Sequence, residues 1–552
     1  MMYKSVARAS RGIARVVIAL MAMAVFAGAT EASVVISTAA TQNMSCSGGV
    51  CTPTAPQANL NVTDLANMLA SADVSVATGT ASKDIRFGAP LSWISSSRLT
   101  LDAHKAIVFE QPVTVAGTGA MTISTKGARN GGDYLFAKKG HIEFWDAHSS
   151  LVVNGKNFTL VKTLPDLAKR VLKKNAGRYA LAGSYDASQD GVYTQPPISE
   201  FGGVFEGLGN HINRFAINFT TKTEFYGAVG LIGELYGLVQ NLNLDDVKVT
   251  CAIPDDDVGA LAGRSSGSIK SVMVTGHVEG YPDPNVDDNV GGIVGFSYGP
   301  IANSYSTARV KNGAWTGGLV GTAESEPGIG IASITNSGAS GKVSSHGNAG
   351  GLAAAAYGAP GFIVGSSARG DVDSLLAAPN IGNQVGGLVA DNRVNVSNSY
   401  STGNVTGGGA GNIVGGAFAY NSASIANTFA SGDVASSNCN ACGGLVGANS
   451  GPVATSYSTG LVSGSGSWTG GVIGDDSTDP GSITDAYWDL DTSGISDPAQ
   501  GAGNKANDPG ITGLTDAQLK SALPTGFDPQ VWGQNPNINN GYPYLLANPP
   551  PK

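Results

Sequence analysis

The sequence predicts an all-β chain folded as a right-handed parallel β-helix, with short helical insertions and a C-terminal cap. Three observations carry that expectation. The first is repetition. A phrase built on GGLVG occurs about nine times, at 227–233, 258–263, 290–295, 316–321, 349–354, 385–390, 410–415, 442–447 and 469–474. The second is a partner phrase some ten residues further on, as in PIANSYSTARV (300–310), NVSNSYSTGNV (395–405), SIANTFASGDV (424–434) and PVATSYSTGLV (452–462). Both phrases alternate small or polar residues with Leu, Val, Ile, Tyr or Phe, which is strand periodicity. Their spacing of roughly 25 to 36 residues suits a solenoid, whereas a propeller blade needs about 40 to 45. The third is composition: 78 glycines in 552 residues provide corners and close backbone approaches without a helical stripe in any repeat. A unit of two short strands cannot bury its own apolar face. Stacked at strand spacing, about 4.8 Å, such units cover one another.

The elements follow in chain order. Residues 1–32 read as an export signal: Lys4, Arg8, Arg11 and Arg15 precede the apolar run VVIALMAMAVFAGA (16–29), and small residues follow. Residues 33–83 are expected to form an N-terminal cap or linker, with a short helix in NVTDLANMLASAD (61–73). Residues 84–157 alternate strongly and turn every eight to twelve residues or so, as early solenoid coils would. Residues 158–200 contain TLPDLAKRVLKKNAG (163–177), where Thr163 is a candidate N-cap and Gly177 a stop. One face of that helix carries Leu164, Leu167, Ala168, Val171 and Leu172, the other Lys169, Arg170, Lys173 and Lys174. The basic face suits an anion or a membrane, but a solvated face is the expectation. Residues 201–495 hold the repeat array. Residues 496–552 form a cap and tail, opened by LTDAQLKSALP (514–524) with its Thr-x-x-Gln capping pattern.

Little in the chain speaks for catalysis. No His-Glu-x-x-His, Gly-x-Ser-x-Gly, P-loop or dinucleotide fingerprint occurs. The six histidines are scattered, and His141 and His148, with Glu143 and Asp146 between them, come closest to a metal pattern. The net charge of −9 argues against nucleic acid as a partner. In an exported chain Cys46 with Cys51, and Cys439 with Cys442, are close enough to pair, which leaves Cys251 over. Asn303, Asn398 and Asn427 share a register and suggest an asparagine ladder, broken by Thr455. Tyr305, Tyr400, Phe429 and Tyr457 share another. Facing outward they would be a sugar-stacking ladder, facing inward core, and their setting favours a buried or corner position.

Insertions between coils are the expected contact surface: 253–258 with Asp255, Asp256 and Asp257; 280–289 with Tyr281, Asp283, Asp287 and Asp288; and 324–331 with Glu324 and Glu326. No cofactor is expected. Weak surface calcium at Asp255–Asp257, Asp287–Asp288 or Asp475–Asp476 is the nearest alternative to solvated loop charge.

The GGLVG…NSYSTGxV units resemble the GLUG repeat of exported bacterial proteins, and residues 84–155 resemble β-helical filamentous-haemagglutinin-type exoproteins of Gram-negative bacteria. The resemblance extends to AYWDLDTSGIS (486–496) and GYPYL (541–545). It implies a secreted or cell-surface adhesin, without catalysis, whose partner is a host or environmental glycan or protein. It also implies a separate outer-membrane translocator. The Asn-Pro-Asn motif of the two-partner secretion domain falls here only at Asn535–Asn537, near the C-terminus. The alternative is a β-helix polysaccharide lyase or hydrolase, which would need converging carboxylates on one side of the stack.

Overall fold

The computed structural model describes residues 32–551 except 127–132, 222–226, 255, 284–285, 376–382 and 409–410. The export signal and Asp255 therefore lie outside the described residues. The chain divides into two compact units, one running to Asp186 and including Gly203–Ile212 and Val239–Asn243, the other holding the remainder. Both are built from parallel strands wound into coils, as a β-helix requires.

In the N-terminal unit, strands Ser33–Ser37, Asp84–Phe87, Ile107–Phe109 and Tyr134–Phe136 pair in parallel. Phe87, Phe109 and Phe136 stack at 5.0 and 5.1 Å between ring centroids. Residues 33–83 are thus no linker: Ser33–Ser37 and Ala58–Asn61 already pair in the first sheet. These four- and five-residue strands lack the double-glycine phrase, so repetition could not reveal them. The expected helix is there as α1 (Val62–Leu69), with the Asn61 side chain accepting from the Thr63 and Asp64 amides. Cys46 and Cys51 face each other across the hairpin Met44–Ser47/Val50–Pro53 and are bonded.

Residues 158–200 are likewise less of an insertion than expected. Lys156–Val161 and Arg178–Leu181 pair in parallel, and between these two strands α2 (Leu164–Lys173) and its flanks leave the stack. Thr163 caps it, accepting from the Asp166 amide at 3.2 Å. Leu164, Leu167 and Val171 are buried, while Leu172 is 85% exposed.

The larger unit owes its order to one column of apolar residues. Ile198, Ile232, Ala262, Val294, Val320, Ala353, Val389, Phe418, Val446 and Ile473 stand in register on ten parallel strands. All are buried. Each is preceded in the repeats by a second buried residue, such as Leu319, Leu352, Leu388 and Leu445, whose amide donates to the equivalent carbonyl of the next coil at 2.7–2.9 Å. Two such side chains per coil, at about 1.5–3 kcal/mol each, bind successive coils together. The array thus begins at Ile198, three residues before the expected boundary, and variation in coil length is taken up outside the ladder, as in the loop between Val320–Glu324 and Ser333–Thr335.

The residues expected to form an asparagine ladder mainly turn the chain, and one rung is made through Thr455, the expected break, whose Oγ1 donates to Asn427 Oδ1 at 2.8 Å. Asn303, Asn336, Asn398, Asn427 and Thr455 all have positive φ, between 44° and 51°, and turn the chain at one corner. Asparagine tolerates that conformation better than most residues. The ladder at this corner belongs to the next residue. The amides of Ser304, Ser337 and Ser366 donate to the hydroxyls of Ser337, Ser366 and Ser399 at 3.1–3.3 Å.

A true asparagine ladder closes the ten-stranded sheet at the end of each VxxN strand. Asn392 Nδ2 donates to Asn421 Oδ1, and Asn421 Nδ2 to Asn449 Oδ1, both at 2.8 Å; Asn449 Nδ2 donates to Asp476 Oδ1 at 3.0 Å. Asp476 is neutralised by Lys505 at 2.8 Å, and below Asn392 the column holds Ala356. Asn421→Ala should cost about 1–3 kcal/mol, because it orphans a buried donor on one side and an acceptor on the other. Urea unfolding would measure it; an unchanged midpoint would mean water replaces the amide.

The C-terminal segment does more than cap. Ile511–Leu514 pairs with Ile483–Asp489, and the Val472 and Ile473 amides donate to Gly501, so 496–514 continue the stack. Helix α3 (Asp516–Ser521) follows, with the expected capping box between Thr515 and Gln518. From there the chain folds back over the outward aromatic column. Tyr400, Phe429 and Tyr457 stack at 4.8 and 5.2 Å, and Tyr457, Tyr487 and Phe429 meet Phe527 and Trp532. The column is buried, but by the returning arm rather than by the coil interior. Tyr457 Oη donates to Pro543 O at 2.5 Å, Tyr542 Oη to Asp489 Oδ2 at 2.9 Å, and Asn548 Nδ2 reaches Ser366 O at 3.2 Å.

Candidate functional site

The expected contact loops divide in two. Asp256, Asp257 and Asp288 are not solvated loop charge: all three are buried. Asp257 is paired with Arg264 and accepts from Asn289 at 2.8 Å, and burial nevertheless pushes its carboxyl up to about 6. The Asp256 amide donates to Asp288 Oδ1 at 3.0 Å, so these carboxylates tie one coil to the next. Their sequence setting looked like an acidic loop because strand Asp257–Gly259 is only three residues long. Tyr281 and Asp283 are half-buried. Asp287 is exposed and accepts from Trp315 Nε1 at 3.1 Å.

The third loop belongs to a different kind of surface. Its hairpin, closed by reciprocal Glu326–Gly330 backbone bonds of 3.0 and 3.1 Å, sits against Tyr298 and leaves Ile329 and Ile331 about half exposed. Tyr298 packs on Phe296 at 4.8 Å. Phe296, Thr322, Ala355, Asp391 and Tyr420 occupy one column of the ten-stranded sheet. Phe296 and Tyr420 are four coils apart, about 19 Å at strand spacing.

At the Tyr420 end, side chains from four coils converge. Arg393 lies over the Tyr357 ring at 5.0 Å and the Tyr420 ring at 5.9 Å. Its guanidinium forks onto Asp391 at 3.1 and 3.0 Å, and Tyr357 Oη donates to the same carboxylate at 3.0 Å. Trp315 meets Tyr357 edge-on at 6.2 Å. Burial, reinforced by the Asp391 charge, pushes the Tyr357 phenol far up; the hydrogen bond to Asp391 pushes Arg393 up. Both therefore hold one protonation state at any physiological pH. The rings of Phe296, Tyr298, Trp315, Tyr357 and Tyr420 are all partly exposed. This face offers flat apolar platforms interleaved with a fixed polar fork, a combination that takes a ligand with both C–H faces and hydroxyls.

Sequence reasoning missed this patch. Its aromatics sit at different offsets in their repeats, so no single register shows them. The signal available was the recurrence of an aromatic two or four residues after the apolar ladder position, as in VGFSY, AAAAY and FAY.

Other titratable groups have structural tasks. Glu206 is fully buried and its carboxyl is raised by that burial, but its oxygens are taken by Tyr134, Gln240, Asn241 and the Leu208 amide. His141 lies 3.8 Å from Glu143 and His148 2.8 Å from Asp146, as two separate pairs. Among the described residues no three His, Cys, Asp or Glu side chains form a metal-binding group. Cys439 and Cys442 are bonded inside a bulged strand, and Cys251 is a buried thiol against Asp256. A shallow cleft lined by His277, Glu279, Arg309 and Lys311 is crossed by the Lys311–Glu279 pair at 2.9 Å.

No family model matches the chain. It is similar to halomucin of Haloquadratum walsbyi, 35% identical over 97 residues, which is 17% of this chain and 1% of that protein. A crystal structure of a "putative immunoglobulin A1 protease" from Bacteroides ovatus aligns with 68% of this chain and 94% of its own, at 15% identity and a TM-score of 0.32.

Proposed function

We propose that the chain is an exported, adhesin-like β-helix protein, secreted or held at the cell surface, that binds carbohydrate on the aromatic face of its ten-stranded sheet. The observation that carries this reading is the group Trp315–Tyr357–Arg393–Tyr420, three rings and a guanidinium gathered from successive coils around one carboxylate. Asp391 is committed to Arg393 and Tyr357, so it is no free acid or base, and the group favours binding over turnover. The 19 Å or so from Phe296 to Tyr420 suits several linked sugars rather than one.

A glycan array with the full chain, followed by calorimetry on the best ligand, tests the proposal. Tyr420→Ala and Arg393→Ala should each weaken binding about tenfold or more, while Leu461→Ala, exposed and outside the ten-stranded sheet, should leave it unchanged. Release of new reducing or unsaturated ends would point instead to a polysaccharide-cleaving enzyme. Binding that is indifferent to both patch substitutions would move the site elsewhere.

A further inference from the structure

The net charge of −9 hides a segregation. The N-terminal unit, from residue 32, holds 15 Lys and Arg against 11 Asp and Glu, whereas the larger unit holds 13 against 29. The excess of positive charge gathers on and beside α2. Lys169, Lys173, Lys174 and Arg178 are all exposed. Of the helix's basic residues only Arg170 forms an ion pair among the described residues, with Asp166 at 2.9 Å.

The outer stripe of α2 is not the purely polar face of a solvated helix. Pro165, Lys169 and Leu172 follow one another at i, i+4 and i+7, and all three are exposed. Leu172, at 85% exposure, stands between Lys169 and Lys173 with no apolar cover, although the buried stripe of Leu164, Leu167 and Val171 already anchors the helix. A second exposed apolar group lies at the entrance to α2. Lys162 Nζ donates to the Trp145 carbonyl at 2.6 Å, and the Trp145 side chain is 63% exposed. Ile94, 82% exposed, occupies the corresponding place two coils away, since Trp93 and Phe144 share the register of Val115.

We infer that this side of the N-terminal unit docks on an anionic lipid surface, with Leu172, Trp145 and Ile94 entering the headgroup layer and the lysines facing the phosphates. Charge alone would serve a polyanionic glycan equally well. The exposed Leu172 and Ile94 distinguish the two, because a branched aliphatic side chain offers no flat face to a sugar ring, and together with Trp145 they are groups that partition into a lipid interface. Lysine stems can lie along the apolar layer while their ammonium groups reach the phosphates. Attachment of this kind is peripheral, and among the described residues no helix is long and apolar enough to cross a membrane. It is independent of the glycan face, which uses no residue of this unit.

Flotation of the full chain with vesicles of phosphatidylcholine containing about one third phosphatidylglycerol tests the inference. The chain should float with these vesicles at low salt and not with pure phosphatidylcholine. Lys169→Glu with Lys173→Glu should abolish binding, at about fivefold or more per charge. Leu172→Ser should weaken it about tenfold without changing the circular dichroism spectrum. Trp145→Phe should remove a blue-shifted fluorescence component that appears on vesicle addition. No flotation at low salt would overturn the inference, as would flotation unaffected by the charge reversal. So would capture by sulfated polysaccharide beads with Leu172→Ser without effect on vesicles, which would reassign the patch to a polyanion. Loss of glycan binding in Tyr420→Ala with vesicle binding intact would show the two surfaces to be separate.

Discussion

Deleting residues 515–552 should leave a chain that still forms its coils but associates more strongly than the full chain. The arm buries Leu519, Phe527, Trp532, Tyr542 and Leu545 against the outward column of Tyr400, Phe429, Tyr457 and Tyr487. Five such side chains represent about 7–15 kcal/mol of transfer free energy, offset in part by the entropy of ordering the arm. The truncated chain would present three stacked aromatic rings, with Tyr487 one coil on, to water, a contiguous apolar stripe of the kind that drives association. Size-exclusion chromatography should show dimers or larger species. Hydrogen exchange should accelerate first in the coils from Ser366 to Trp488, while the N-terminal unit keeps its protection. A product that elutes as the parent does, with unaltered exchange, would mean that the arm is only an appendage.

Gly415→Ala should be the most damaging single-atom change in the array. A Cβ on Gly415 would lie 2.6 Å from the carbonyl carbon of Phe418, closer still to its oxygen, and 2.7 Å from the amide nitrogen of Gly447 in the next coil. All three are backbone atoms, so no rotamer change relieves the clash. The same obstruction faces Gly317, Gly350, Gly386, Gly443 and Gly470 at equivalent places in their coils. The first glycine of each pair is therefore required by close approach, not by a special φ. The cost should exceed about 4 kcal/mol, as backbone displacement in a close-packed core does. Thermal unfolding should split into two transitions, with the coils around Phe418 melting first. A single transition within a degree or two of the parent would show that the turn can open without penalty.

How much of this was legible depended on whether a feature repeats. The ladder from Ala262 to Ile473 announced itself because the same phrase returns at nearly the same offset, and coils exchange backbone bonds wherever it does. Asn303, Asn398 and Asn427 repeat as well, but repetition does not say whether an asparagine bonds its neighbour or bends its own backbone. All three bend the chain at positive φ, and Asn427 also meets its neighbour, accepting from Thr455 Oγ1 at 2.8 Å. The real amide ladder was harder to see, because Ala356 and Asp476 stand at its two ends and only Asn392, Asn421 and Asn449 share the residue type. Asp256, Asp257 and Asp288 looked exposed because a carboxylate is costly to bury, yet Arg264 and Asn289 meet Asp257, the Asp256 amide meets Asp288, and the Cys251 thiol donates to the Asp256 carboxylate. The binding patch itself was out of reach. Arg393 meets Tyr357 and Tyr420 only because coils of 36 and 29 residues bring them side by side.

The amide ladder also gives the array a chemical direction. Every asparagine in it donates a hydrogen bond forward to the following coil, and the last position, the Asp476 carboxylate, can only accept. A duplicated coil inserted between Asn421 and Asn449 would find a donor behind it and an acceptor ahead. Beyond Asp476 the next turn supplies the donors instead, Lys505 Nζ to Asp476 Oδ2 and Asn504 Nδ2 to Asp476 O, both at 2.8 Å. The array can therefore lengthen by copying from its middle, whereas the amide ladder itself ends at a carboxylate that the following turn fills with a lysine.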